Sequence, residues 1–230
     1  MRASDPTSPT ESAPIGRTAT HKQWLILIGI ASWLLYGALV WLSSAFAYGT
    51  PMDSRPILPM LGLFATLFGL YLVGLRIAAQ TPDSWGVILT FGVAFRLLVL
   101  FSEPILEVDI YRYVWDGQIL AAGVSPYRYP PAEVAAANPY DASLPSELRR
   151  LAALRDADSG LATVLSRVHF AELTTPYPPI SQLVFGAAAL SSPAGSTAAT
   201  RLLVMKAWIV GFDLLTLVLL GRLLRFTGRP

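Results

Sequence analysis

Apolar residues form long unbroken runs in the first part of the chain and again near its end, with a mixed, polar stretch between them. Trp24 to Tyr48 carries no charge and exceeds the roughly 20 residues that cross a bilayer. Trp24, Trp33, Trp41 and Tyr48 supply aromatic anchors of the kind favoured at membrane–water boundaries. A turn with Pro51, Asp53, Arg55 and Pro56 follows, then a second run from about Ile57 to Ile77 and a third from about Trp85 to Phe101. Ile180 to Leu190 is shorter and closes on a turn at Ser191–Gly195, and a fifth run extends from about Leu202 to Leu224. The pattern predicts an all-α, multi-pass transmembrane bundle with five spans. Gly62, Gly69 and Gly74 read as helix-packing positions in the second.

The period changes after Phe101. Ile110, Tyr113, Val114, Gly117, Leu120 and Ala121 recur at helical spacing. Asp109, Arg112 and Asp116 share the opposite face at i, i+3 and i+7. Gly123 and Pro126 end this helix. The spacing predicts an amphipathic helix along the membrane surface, its charged stripe turned away from lipid. Ser146 is placed to cap a second short helix through Leu154, and Leu161 to Phe170 suggests a third. Thr174 to Pro179 should enter the next span as rigid extended chain. Four segments result: a disordered Ser/Thr/Pro/Ala-rich cytoplasmic tail (1–23), three transmembrane helices (24–103), an external helical segment (104–178) and two further membrane helices (179–230).

Charge sets an orientation. Arg2, Arg17 and Lys22 in the tail favour a cytoplasmic N-terminus, and three crossings then put residues 104–178 outside. Residues 102–178 hold six Arg and ten Asp or Glu, in keeping with that side. Arg222, Arg225 and Arg229 pull the other end inward, against an odd number of spans; either the fourth run is a half-span or further helices follow. Overall, 53% of the 230 residues are hydrophobic and 14% charged, against about 25% charged in a soluble domain. A net charge of +2 gives no footprint for nucleic acid. The absence of cysteine excludes disulfides and thiolate chemistry, and two distant histidines, His21 and His169, argue against a zinc site.

Several polar residues carry two readings each. Asp109 opens a helical pattern, so it fits a helix cap; it also fits a general base at a membrane edge, and one residue can do both. Glu107 and Asp109 are close enough to hold a divalent cation such as Mg or Mn, or to be simply solvated. Arg96 in the third run needs a counter-charge such as Asp213, or a lipid phosphate. Lys206 and Asp213 lie seven residues apart on one face and suit an internal pairing network. His169 reads as a base or phosphate ligand or as neither, and Tyr177 as a sugar-stacking ring or an interfacial anchor. Glu103 borders the third run as an interfacial residue. No phosphate loop, dinucleotide fingerprint or HExxH pattern is present.

The run Glu107 to Gly117 (EVDIYRYVWDG), followed by Ala122 to Tyr129 (AGVSPYRY), resembles the first external loop of GT-C fold glycosyltransferases. It is closest to bacterial polyprenyl-phosphate-mannose-dependent mannosyltransferase-like membrane proteins. Thr175 to Gln182 (TPYPPISQ) is similar to their Tyr-Pro-Pro helix entry, and Lys206 through Asp213 to their next helix. The resemblance covers most of residues 85–225. It implies a bacterial cytoplasmic-membrane enzyme that moves a hexose, mannose first among candidates, from a polyprenyl phosphate donor to an extracytoplasmic glycan or lipid acceptor with inversion. Asp109 takes the position of the catalytic base, with Glu107 assisting or binding metal. Arg112, Asp116, Arg128, His169 and Tyr177 are the implied substrate-binding residues, and Arg167 is a further cation for the phosphate. Members of the family are longer, so the chain corresponds to their N-terminal part. Two other functions stay open: a non-catalytic protein that binds sugar lipids in an assembly, and a transporter or flippase subunit using Arg96, Lys206 and Asp213.

Overall fold

The computed structural model describes residues 15–81, 84–105 and 108–227, and no β-strand occurs among them. The helices are α1 (Ile15–Ser43), α2 (Ile57–Ala78), α3 (Trp85–Val99), α4 (Ile110–Ala121), α5 (Pro131–Ala136), α6 (Ser146–Ala157), α7 (Ser159–Leu165), α8 (Pro179–Ser191) and α9 (Ala198–Phe226). Three stretches, Thr20–Phe46, Ile57–Ala78 and Ala198–Phe226, are long and apolar enough to cross a membrane; α3 and α8 are apolar but shorter. Large apolar side chains such as Trp41, Leu58 and Phe68 are exposed along these helices. The chain is therefore an all-helical, membrane-embedded protein. Helix α1 begins at Ile15, so residues 15–23 are helical where a disordered tail was expected. Extending an existing helix costs far less than nucleating one, and the neighbouring apolar run supplies the nucleus. Residues 1–14, with Arg2, lie outside the described residues.

The described residues fall into two compact units, 15–38 with 57–95 and 39–56 with 96–227. In the first, α1 and α3 meet where Gly29 lies against Phe91: an added Cβ would come within 2.6 Å of the ring. The rings of Tyr36 and Phe95 meet nearby, tilted, with centroids 4.9 Å apart. Gly74 approaches Ile28, but Gly62 and Gly69 face open space, with no atom within 4 Å of where a Cβ would stand. Among the described residues those two pack against nothing; spacing alone does not say which face of a helix meets a neighbour.

The second unit is built round α4, which packs most extensively on α8 and also meets α7 and α9. Ile110, Tyr111, Arg112, Val114, Trp115, Asp116, Gly117 and Ile119 are all buried. The expected surface-lying amphipathic helix is thus a core helix enclosed on nearly every side, and its Arg112 and Asp116 point into protein. The close α4–α8 crossing needs two glycines. A Cβ on Gly117 would sit 2.6 Å from the Phe185 carbonyl carbon, and one on Gly186 would sit 2.9 Å from Leu120. Gly117→Ala should therefore cost about 1–3 kcal/mol by overpacking, read as a lower melting temperature in detergent with helical content retained below it. Helix α4 stops where Gly123 adopts φ 75°, its N–H bonding the Leu120 carbonyl at 2.9 Å while Val124 N–H bonds Ile119 at 3.1 Å. That is the left-handed glycine closure expected from the sequence.

Around this core, α6 begins at Ser146 with Pro145 in the capping position, so Ser146 is the first helical residue and not the cap. Helix α7 ends at Leu165, short of the expected Phe170. Its start is fixed by Asp158, which accepts from Leu161 N–H at 3.0 Å and pairs with the buried Arg201 at 2.5 Å. Helix α5 was not anticipated; Pro131 starts it in the first turn, where no N–H has an intrahelical partner to lose. Helices α8 and α9 belong to this same unit, packed against the segment that the sequence had set apart as an external loop.

Candidate active site around Asp109

Asp109 occupies the position before α4, yet its backbone is already helical and its carboxylate makes no capping bond. The carboxylate instead accepts a hydrogen bond from the hydroxyl of Tyr177. The capping reading is thus replaced: the side chain is held by a residue 68 positions away. Tyr177 sits in the Pro-flanked entry to α8, and its main chain is braced by Tyr127, whose hydroxyl donates to the Tyr177 carbonyl. Its ring meets Tyr113 edge-on at 4.9 Å, and Tyr113 stacks on Phe185 at 4.7 Å. Burial and the neighbouring Asp109 push the Tyr177 phenol well above its ordinary range, so it remains a proton donor. A half-buried carboxylate held by an oriented phenol can take a proton from a hydroxyl placed beside it. Tyr113 and Phe185 were not foreseen as part of this site. Tyr113 lies one helical turn after Asp109, a spacing that could have found it had the apolar pattern not assigned the two to opposite faces.

The other expected site residues are mostly used elsewhere. Arg112 is 4% exposed, and its guanidinium donates to three carbonyls: Leu173 at 3.1 Å, His169 at 2.8 Å and Phe170 at 2.7 Å. It holds the 169–173 loop and is not offered to a substrate. In that grip Phe170 is kept at φ 50°, a left-handed conformation that side chains other than glycine adopt rarely. Asp116 is also buried, accepting from Gln182 Nε2 at 3.2 Å and from Thr175. Arg128 forms an exposed ion pair with Glu147 at 2.6 Å. His169 is exposed with its ring edge-on to Phe170. Glu107 lies outside the described residues. Among the described residues no group of three or more His, Asp or Glu is placed to hold a metal ion.

Burial raises the Asp116 carboxyl above its ordinary value, more than Thr175, Gln182 and Arg112 lower it. The folded protein then binds that proton more tightly than the unfolded chain does. Its contribution is most favourable at low pH and is lost as pH rises from the ordinary carboxyl range through the folded value. Asp116→Asn should flatten that part of the stability–pH curve, seen as melting temperatures that fall less between acidic and neutral pH than in the wild type.

The polar residues of the apolar helices α3 and α9 also find partners. Arg96 pairs with Asp213, as a cation in an apolar run requires. Lys206 donates to the Ser102 carbonyl and, at 3.5 Å, to that of Leu100. No family model, no curated protein and no solved structure matches this chain.

Proposed function

We propose that this chain is a membrane glycosyltransferase, or its N-terminal portion, that moves a hexose from a polyprenyl phosphate to an acceptor hydroxyl, with Asp109 as general base. One observation carries the reading: the Asp109 carboxylate accepts a hydrogen bond from the Tyr177 phenol, which Tyr113 and Phe185 brace, and not from the start of α4. The likeness of residues 107–129 and 175–182 to GT-C loops supports it. In the step, the acceptor oxygen attacks the anomeric carbon as its proton passes to Asp109. The bond from that carbon to the phosphate oxygen breaks, and the lipid phosphate leaves with the electron pair. Tyr177 acts as a positioning residue through its bond to Asp109, and the stacked rings of Tyr113 and Phe185, both edge-on to it, brace it there. Mannose is the first sugar to try and an extracytoplasmic glycan or glycolipid the acceptor class. The site then faces the outside of a bacterial cytoplasmic membrane, with the N-terminus inside. The test is transfer of label from a panel of polyprenyl-phosphate sugars to an acceptor extract by membranes carrying the chain, wild type against Asp109→Asn.

A further inference from the structure

Helix α8 has 13 residues, about 20 Å of helix, and falls short of the roughly 30 Å hydrocarbon core of a bilayer. Both of its ends are held by the segment that carries α4 to α7. At the start, Tyr177 bonds Asp109, and Gln182 bonds Asp116 at 3.2 Å. At the far end the chain turns back. The Ser196 carbonyl stands where a Cβ on Gly160 of α7 would be. Arg201 donates to that carbonyl at 3.2 Å and to Asp158, the residue that caps α7, at 2.5 Å. None of α4 to α7 is long and apolar enough to cross a membrane, so no crossing separates Asp109 from Asp158. The two ends of α8 therefore lie on one side.

Helix α9 behaves differently. Its first turns, with the buried Arg201, Leu202 and Met205, belong to the core of this unit. From Lys206 onward it runs antiparallel to α3, Lys206 meeting Ser102 and Asp213 meeting Arg96. Lys206 to Phe226 is about 31 Å of helix, enough to cross. Trp208, in the first turn of that crossing part, donates to Ser191 at the end of α8 at 2.8 Å. Tryptophan favours the membrane boundary, and here it sets the end of α8 at that level. Helix α8 carries no charged residue, and Ile180, Leu183 and Leu190 are 70%, 63% and 76% exposed along one side while α4 covers the other. An uncharged stripe of large apolar side chains, at the point where a membrane helix leaves the domain, fits lipid. We infer that α8 does not cross the membrane but lies along its surface on the Asp109 side, with Ile180, Leu183 and Leu190 seated in interfacial lipid. The crossings are then α1, α2, α3 and α9. An even number returns Arg222 and Arg225 to the side of Arg17 and Lys22, which removes the charge conflict left by five spans. The same seat holds Tyr177, and through it Asp109, at the membrane edge. The inference stands whether or not sugar is transferred.

The chain has no cysteine, so single introduced cysteines report sidedness directly. Glu172 before α8, Ala194 after it and Thr227 beyond α9 are all exposed. Full-length Glu172→Cys, Ala194→Cys and Thr227→Cys proteins are treated with a membrane-impermeant maleimide in right-side-out and in inside-out vesicles. Glu172→Cys and Ala194→Cys should label in the same preparation, and Thr227→Cys in the other. Pro193→Cys repeats the second position should Ala194→Cys fail to fold. Ala194→Cys labelled together with Thr227→Cys, or in neither preparation, would overturn the inference. In liposomes, bimane attached at Leu183→Cys or Leu190→Cys should lose more fluorescence to lipids brominated near the head group than bimane at Tyr140→Cys, on an exposed turn. No more quenching at Leu183→Cys and Leu190→Cys than at Tyr140→Cys in well-folded protein would also overturn it, as would stronger quenching by lipids brominated at the chain ends. Neither readout needs turnover, so their failure leaves the Asp109 test untouched.

Discussion

Asp109→Asn is expected to lower sugar transfer by about 10²–10⁴-fold, the range that a positioned general base contributes. Asparagine keeps the shape of the side chain, and its amide oxygen can still accept from the Tyr177 hydroxyl. The carboxylate makes no helix-capping bond, so the start of α4 does not depend on it. Melting temperature and helical content should therefore stay close to wild type while turnover falls. Tyr177→Phe separates orientation from chemistry: it leaves the base in place but removes its donor, and a fall of about tenfold is expected for one lost charge-assisted bond. A stacking role alone would spare this variant, because phenylalanine keeps the ring.

Arg112→Met should be the most damaging single change to folding. The guanidinium is buried and satisfies the carbonyls of His169, Phe170 and Leu173, which no other described side chain reaches. It also lies near the buried Asp116 carboxyl and lowers its proton affinity. Removing the arginine leaves the His169 and Leu173 carbonyls without their side-chain donor, the Phe170 carbonyl with only the Leu173 N–H, and the acid without its cation. Breaking a buried charged cluster costs about 3–5 kcal/mol, against a typical total stability of 5–15 kcal/mol. At this chain length that corresponds to a melting temperature lower by about 6–20 °C. Because the same loop leads to Tyr177, Arg112→Met should also free the 169–173 backbone, seen as faster amide exchange there than in the wild type. Arg112→Lys should restore only part, since one ammonium cannot span three carbonyls as a planar fork does.

What the sequence revealed and what it hid have physical reasons. The ends of α2, α3, α8 and α9 fall within a few residues of the apolar runs, because lipid-facing helices must be apolar throughout their length. The Arg96–Asp213 pair was also legible, since a cation in such a run needs an acid near its own depth. The surroundings of α4 were not. Charges at three helical positions read as a solvated stripe, the cheapest place for them. Here the loop at 169–173 and the Thr175–Gln182 pair satisfy Arg112 and Asp116 inside the protein. Those partners lie more than 50 residues away, beyond the reach of any local pattern. Tyr177 was singled out for stacking, but its bond to Asp109 spans 68 residues and joins two motifs that the chain keeps apart. Lys206 meets the turn after α3 across 104 residues, so that contact has no signature along the chain.

The decisive measurement is the rate of labelled sugar transfer from polyprenyl-phosphate mannose, and then from other polyprenyl-phosphate hexoses, in liposomes holding wild type, Asp109→Asn or Tyr177→Phe at equal folded amounts. The account predicts transfer by wild type, loss of about 10²-fold or more in Asp109→Asn, and an intermediate rate in Tyr177→Phe. Transfer by Asp109→Asn at the wild-type rate, or no transfer of any sugar by well-folded wild type, would contradict it.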